Sequence, residues 1–236
     1  MQRVFLAAMM IFLFAGIAGA QDFPKAEIFG GYSLMRLGGE NFSGFLDEIS
    51  GPNAPEGVTT SRWLKKGFDA SLTYNLNRYL GIEAAFQYNT GRIMKFRGIV
   101  EQYPGDPIGY AYNAHIDAND FSFAVGPKIA YRKARGITPF AHVLVGVNRV
   151  KLTPALTVDG ENVTDQFREE IGVDKDADTG FGLIAGGGID LNINKSFAIR
   201  PIQFDYLMGN GGSPLSIFKL HNAKLSFGVV VRLGGK

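Results

Sequence analysis

From residue 25 onward, apolar and polar residues alternate with a period of two, the pattern of strands with one face against an apolar medium. The hairpin over residues 67–88 is the clearest case. Phe68, Ala70, Leu72 and Tyr74 share a face, as do Leu80, Ile82, Ala84, Phe86 and Tyr88. Asp69, Ser71, Thr73, Gly81, Glu83, Ala85 and Gln87 take the other. Phe121, Phe123, Val125, Ile129 and Tyr131 repeat the pattern against Ser122, Ala124, Gly126 and Lys128. So do Phe181, Leu183, Ala185, Ile189 and Leu191 against Gly182, Gly186, Gly188 and Asp190. The last strand sets Leu225, Phe227, Val229, Val231 and Leu233 against Lys224, Ser226, Gly228 and Arg232, and the first sets Ile28, Tyr32 and Leu34 against Glu27, Gly31 and Ser33. Residues 139–148 are apolar on both faces, which leaves that strand's orientation open. Over 197–206 the alternation breaks at Pro201. A bulge is expected there, because proline inside a sheet marks a bulge or an edge; it would turn Arg200, Gln203 and Asp205 to the polar face.

The links between strands alternate in length. Short links fall at 75–79, 132–137 and 192–196, and long ones at 37–63, 90–119, 149–178 and 207–220. Four long and three short links make eight strands with both termini on the short-link side. Short turns at one end and long loops at the other, with apolar residues outside and polar residues inside, define an eight-stranded antiparallel up-and-down transmembrane β-barrel. Tyr74, Tyr79 and Tyr88 lie near strand ends, where an aromatic girdle is expected.

The first twenty residues read differently. Arg3, the apolar run 4–17 and Ala18-Gly19-Ala20 form the charged, apolar and small-residue parts of a cleaved signal peptide. The expected division is a signal peptide over 1–20 and one barrel domain over 21–236, exported to a bacterial outer membrane. The chain has no cysteine, which excludes disulfides, thiol nucleophiles, cysteine-held metals and a lipid-anchored cysteine. Removing Arg3 takes the formal charge from +2 to about +1, so no nucleic-acid partner is expected.

Several stretches carry a resemblance. Residues 67–86, GFDASLTYNLNRYLGIEAAF, resemble the second hairpin of the bacterial outer-membrane β-barrel family that includes the OmpA-like barrels. Val125-Gly126-Pro127, Thr138-Pro139-Phe140-Ala141-His142 and Gly186-Gly187-Gly188-Ile189-Asp190 add to it. The resemblance spans nearly all of residues 25–233. It implies a monomeric eight-stranded barrel in contact with outer-membrane lipids and lipopolysaccharide, inserted by the outer-membrane assembly machinery. Two features depart from the pattern. The stretch after the last strand reads Leu233-Gly234-Gly235-Lys236 instead of an aromatic residue, and no peptidoglycan-binding domain is expected after the barrel.

The inward charges are the candidate functional residues: Glu27, Asp69, Glu83, Lys128, Asp190, Arg200, Asp205, Lys224 and Arg232. Charges inside a membrane protein are tolerated when paired or wet. Antiparallel register predicts Ser71 opposite Glu83, Asp205 level with Lys224, and Glu27 beside Arg232 once the barrel closes. The network serves either as a plug that fills a narrow barrel or as a narrow ion pathway gated by exchange of ion pairs. Eight strands enclose room for little more than their own side chains, which favours the plug.

Catalysis is tested by the three histidines. Register places His142 opposite Lys128, with Ser122 about 20 Å further along at ~3.3 Å per residue, out of reach of a base. His115 and His221 fall in or beside long links. In the acidic stretch 150–178, Asp174, Asp176 and Asp178 resemble the start of a calcium loop, but the glycine comes one place late at Gly180 and Ala185 stands where the closing Glu belongs. No metal or cofactor is expected. Leu156 to Thr164 reads as a hairpin turning at Asp159-Gly160. Lys65 and Lys66 sit at the outer interface, placed for snorkelling or for lipid phosphates. The expectation is a non-enzymatic outer-membrane barrel acting structurally or through its surface loops, with a narrow channel as the alternative.

Overall fold

The computed structural model describes residues 23–39, 44, 57–101, 109–133, 136–165, 177–210 and 219–235. Eight long strands follow one another: β1 (Ala26–Arg36), β2 (Lys66–Asn75), β3 (Leu80–Glu101), β4 (Gly109–Ala130), β5 (Ile137–Val158), β6 (Ala177–Asn192), β7 (Phe197–Asn210) and β8 (Lys219–Leu233). Each pairs antiparallel with its neighbours in sequence, and β8 pairs with β1 from Ala26↔Leu233 to Arg36↔Ala223, so the sheet closes on itself. Three short pieces decorate this ring: Val58–Thr60 on β3, Trp63–Leu64 on β1, and Glu161–Asn162 on β5. Among the described residues, no helix is long and apolar enough to cross a membrane.

Side chains divide as a lipid-embedded barrel requires. Outward positions expose large apolar groups, among them Ile28, Phe68, Ile82, Phe123, Val145, Phe181, Phe204 and Val229. Inward positions bury Glu27, Asp69, Glu83, Lys128, Asp190, Arg200, Asp205 and Lys224. Polar groups inside and apolar groups outside invert the soluble arrangement. Tyr79 and Tyr88 lie exposed at opposite ends of the apolar band. The undecided orientation of β5 is settled: Phe140, His142 and Leu144 point inward, while Val143, Val145 and Val147 face out.

Both fully described short turns are built alike. Asn77 Oδ1 accepts from the backbone N–H groups of Tyr79 and Leu80, each at 2.8 Å, and Asn194 Oδ1 does the same for Ser196 and Phe197. An asparagine that bonds its own backbone two or three residues on fixes such a turn. The 75–79 turn therefore sets Thr73, not Ser71, opposite Glu83, and Ser71 opposite Ala85. This moves the predicted register by two residues and keeps every side chain on its face. The other registers hold: Asp205↔Lys224, Glu27↔Arg232 and Lys128↔His142. At Pro201 the pairing slips between Arg200↔Gly228 and Gln203↔Ser226, the bulge that turns Arg200, Gln203 and Asp205 inward.

The long links are shorter than the loss of alternation suggests. β3, β4 and β5 each run for 22 residues, about twice the 9–11 needed to cross a bilayer. The stretch 90–119 is mostly a continued hairpin, with a slip at Arg92–Met94 that turns Ile93 inward. β5 folds back through Asp159 and Gly160, both at positive φ, pairing Val158↔Glu161. Asp174 and Asp176 lie outside the described residues, as do the first twenty.

Candidate functional site in the barrel lumen

Starting at the turn end, Glu27 is ringed by Arg132 at 3.2 Å, Arg232 at 3.5 Å and Lys128 at 3.8 Å. Lys128 reaches 2.8 Å to Glu83, whose other oxygen lies 3.2 Å from His142 Nδ1. His142 Nε2 stands 3.0 Å from Asp205, and Asp205 is 3.0 Å from Lys224. Lys224 ends the line at Asp69, 2.6 Å away. A second path leaves Arg232 for Asp190 at 3.7 Å, and Arg200 grips both oxygens of Asp190 at 2.7 and 3.2 Å. Arg200 then donates to Gln203, and Gln203 donates to Asp205. The two paths meet at Asp205, so the network is a closed circuit around the lumen.

Local sequence accounts for the geometry. The Pro201 bulge brings Arg200 and Gln203 to the same face. Arg200 lies between two aromatic rings, 4.2 Å from Phe29 and 4.1 Å from Phe140, and Lys128 is 4.4 Å from Phe140 as well. Such cation–π contacts strengthen where water is excluded. Gly186 makes room for the circuit, since a Cβ there would strike Asp205 Oδ1. Both ring nitrogens of His142 face carboxylates, which only accept, so bonding to both needs a proton on each nitrogen.

The nine residues predicted from the sequence all lie in the lumen, and ion pairs link them into one network. The sequence reading missed two members. Arg132 belongs to a turn, yet its guanidinium folds back to Glu27 and to Asn75 at 2.8 Å. His142 shares the inward parity of Phe140 and Leu144, the signal in the sequence that marks it as a lumen residue. Asp120 sits apart, bonded to Ser122 at 3.3 Å and Asn148 at 3.0 Å.

Toward the extended end the lumen turns apolar, which the sequence reading did not foresee. Met35, Leu37, Leu64, Ile93 and Ala118 are buried together there, with Ile116 and Leu152 packed against them, and the layer continues through Leu144, Ile184 and Leu207. Leu64 comes from the short Trp63–Leu64 strand, and glycine at position 91 lets it approach β3: a Cβ there would lie 2.9 Å from Leu64 Cα. Beside Leu207 and Ile184, a void of ≈ 10 Å³ is about the size of one water. The lumen is thus filled by an ionic circuit near the turns and, toward the far mouth, by an apolar cluster interleaved with buried Ser33, Asn89, Asp120, Asn148 and Asn222.

A closed ring of eight antiparallel strands, apolar outside and ion-paired inside, is a transmembrane β-barrel. The chain belongs to the outer membrane protein beta-barrel domain family, whose model matches residues 5–232. No curated protein matches the chain. Among solved structures it is similar to Ail of Yersinia pestis, at 13% identity over 89% of this chain and 99% of that one, with a TM-score of 0.48. Neisserial surface protein A is similar at 13% identity, covering 89% and 97%, with a TM-score of 0.47. OprG of Pseudomonas aeruginosa follows at 12%, covering 91% and 98%, with a TM-score of 0.43.

Proposed function

We propose that the protein is a sealed, non-enzymatic scaffold of the bacterial outer membrane that presents its extended strands to the cell exterior. In this reading the chain is exported through a signal peptide cleaved after residue 20, inserted by the assembly machinery, and monomeric among outer-membrane lipids and lipopolysaccharide. The observation that carries it is the one-sided length of β3, β4 and β5: each exceeds a bilayer crossing about twofold, and all the excess lies at the end away from the short turns. Side chains that fill the lumen support a structural role. The histidines support a non-catalytic one, since His142 is held by two carboxylates and Ser122 bonds to Asp120 and Asn148.

The test is to replace residues 93–116 with a two-residue Asn-Gly turn. The account expects a barrel that still shows the heat-modifiable gel shift, on cells that lose attachment to surfaces and to one another. Unchanged attachment with the truncated protein at normal abundance would contradict it. A narrow ion channel is the second reading, favoured by the charged half of the lumen; the apolar layer of Met35, Leu64 and Ile93 works against it, because such constrictions close pores by dewetting.

A further inference from the structure

At the short-turn end the lumen opens through a cleft of ≈ 330 Å³, within the ~300–1,000 Å³ range of small-ligand sites. Arg132, Lys195 and Arg232 line it with Asn192, Asn194 and Thr138, and Phe23 and Pro24 form an apolar wall. The two arginines are not rim cations reaching for lipid. Both guanidinium groups turn into the lumen, where they lie 3.2 and 3.5 Å from Glu27. The cleft therefore faces the aqueous end of the barrel, not the bilayer.

Charge at this mouth does not balance. Among the described residues, the four cations Arg132, Arg232, Lys128 and Arg200 share the three carboxylates Glu27, Glu83 and Asp190. His142 draws on Glu83 as well. Lys195 adds a fifth cation at the cleft. Outside the lumen, the described residues of the turn end carry Lys25, Arg78, Lys133 and Lys195 and no Asp or Glu. Arg232 is also short of partners. Its side chain is only 7% exposed and Nη1 donates to Asn192 Oδ1 at 2.6 Å, yet Nε and Nη2 make no hydrogen bond. Ion contacts alone reach them, at 3.5 Å to Glu27 and 3.7 Å to Asp190. A buried donor left unbonded costs free energy that a bound acceptor recovers. Asn194 Oδ1 is committed to its own turn, which leaves its amide nitrogen to donate.

From this cleft we infer a binding site for the free terminal carboxylate of a short peptide on the aqueous side of the turns. The carboxylate meets Arg232, Arg132 and Lys195, a guanidinium fork matching its two oxygens. Asn194 donates to the next peptide carbonyl, and Phe23 and Pro24 pack against a small apolar side chain. Capture of a terminal carboxylate by converging donors is a recurrent mode of peptide recognition. A bare anion would use the cations and leave the amide and the apolar wall idle. The orientation proposed above puts this mouth in the periplasm, so the compartment rests on that reading and the chemistry does not.

The test is an NMR titration of the nitrogen-labelled mature barrel in dodecylphosphocholine micelles at low salt, read on the backbone signals of Asn194 and Lys195. The probes are N-acetyl-dialanine, its C-terminal amide and inorganic phosphate. The free acid is expected to bind at least ~10-fold more tightly than the amide, since bonds to charged groups are the stronger ones. It is expected to outbind phosphate as well. Equal binding of acid and amide overturns the inference, and phosphate binding as tightly as the acid overturns it as a general anion sink. Running the acid with D-alanine and with L-alanine at its end separates the sources: the tighter stereoisomer points to a cell-wall peptide or to a protein C-terminus, respectively. Arg132→Gln/Lys195→Gln is expected to lose the preference for the acid. Lys133→Gln keeps it, because that ammonium sits outside the cleft, 5.8 Å from the Tyr79 ring. If the double variant loses its gel shift, Lys195→Gln alone, on an exposed turn, carries the test and is expected to weaken the acid several-fold. Full preference in these cleft variants overturns the inference. Orientation is read separately: the chain has no cysteine, so Glu161→Cys on intact cells is labelled by a membrane-impermeant maleimide only if the extended end faces out. Absent labelling overturns the orientation, and labelling with equal acid and amide binding overturns the inference alone.

Discussion

Lys224 of β8 reaches 2.6 Å to Asp69 of β2, across the whole width of β1, which lies between their strands. The same ammonium lies 3.0 Å from Asp205 of β7. One cation therefore ties together the strands on both sides of the β8–β1 seam where the sheet closes. Removing it leaves Asp69 with no other cation within 4 Å among the described residues, and leaves Asp205 with His142 alone. Breaking one partner of a buried ion pair costs about 3–5 kcal/mol, because the remaining charge stays out of water. Lys224→Met is expected to lose that much in urea unfolding from lipid vesicles, and Asp69→Asn added to it to recover part of the loss.

The apolar layer has its own signature. Leu64 is fully buried, while its neighbour Trp63 is 40% exposed. Truncating a buried leucine costs about 2–5 kcal/mol, through lost transfer energy and the cavity left behind. Leu64→Ala is expected to fall in that range in the same unfolding assay, with Trp63→Ala well below it.

The bulge at Pro201 predicts an asymmetry between deletions. Pro201 and Ile202 together stand opposite Phe227, so deleting Pro201 leaves Arg200, Gln203 and Asp205 inward and Ile202 and Phe204 outward. That variant is expected to fold and keep its gel shift. β6 pairs with β5 without a slip, so deleting Ala185 turns half of the strand to the wrong face. This second variant is expected to fail to fold in the same gel.

Above the membrane, the hydrogen bond from Arg92 holds the Asp117 carboxyl below its usual range. A carboxylate with a lowered folded pKa contributes stability above its unfolded value near ~3.9, and that contribution is lost as pH falls through the folded value. The pair is exposed, so its worth is at most about 1 kcal/mol. Asp117→Asn is expected to cost no more than this at pH 7 in urea unfolding, with the difference from wild type fading below about pH 4.

Much of this architecture was legible because lipid enforces a strict rule on one face. Phe68 to Tyr74, Leu80 to Tyr88 and Leu225 to Leu233 set a large apolar residue, or alanine, at every second position because those positions meet hydrocarbon, with Val230 the one inward apolar residue of the last stretch. Beyond the bilayer the rule lapses. Residues 93–118 lack the alternation because both faces of that hairpin are free to be polar, and the slip at Arg92–Met94 reverses the faces midway. β5 was ambiguous because its inward residues serve two media, Phe140 against Arg200 and Leu144 in the apolar layer. The two-residue register error near Glu83 came from the turn, where Asn77 sets a tight loop that hydrophobic pattern alone does not reveal. The lumen charges were readable from parity. Their order around the circuit was not, because it depends on how far each side chain reaches across strands.

The central claim is that the ionic circuit and the apolar layer seal the barrel. Single-channel recording of the refolded mature protein in planar bilayers tests it most directly, alongside Met35→Ser/Leu64→Ser/Ile93→Ser, which wets the apolar layer. The account predicts no openings in the wild type and small, steady openings in the variant. Steady openings in the wild type would contradict it and make the protein a channel.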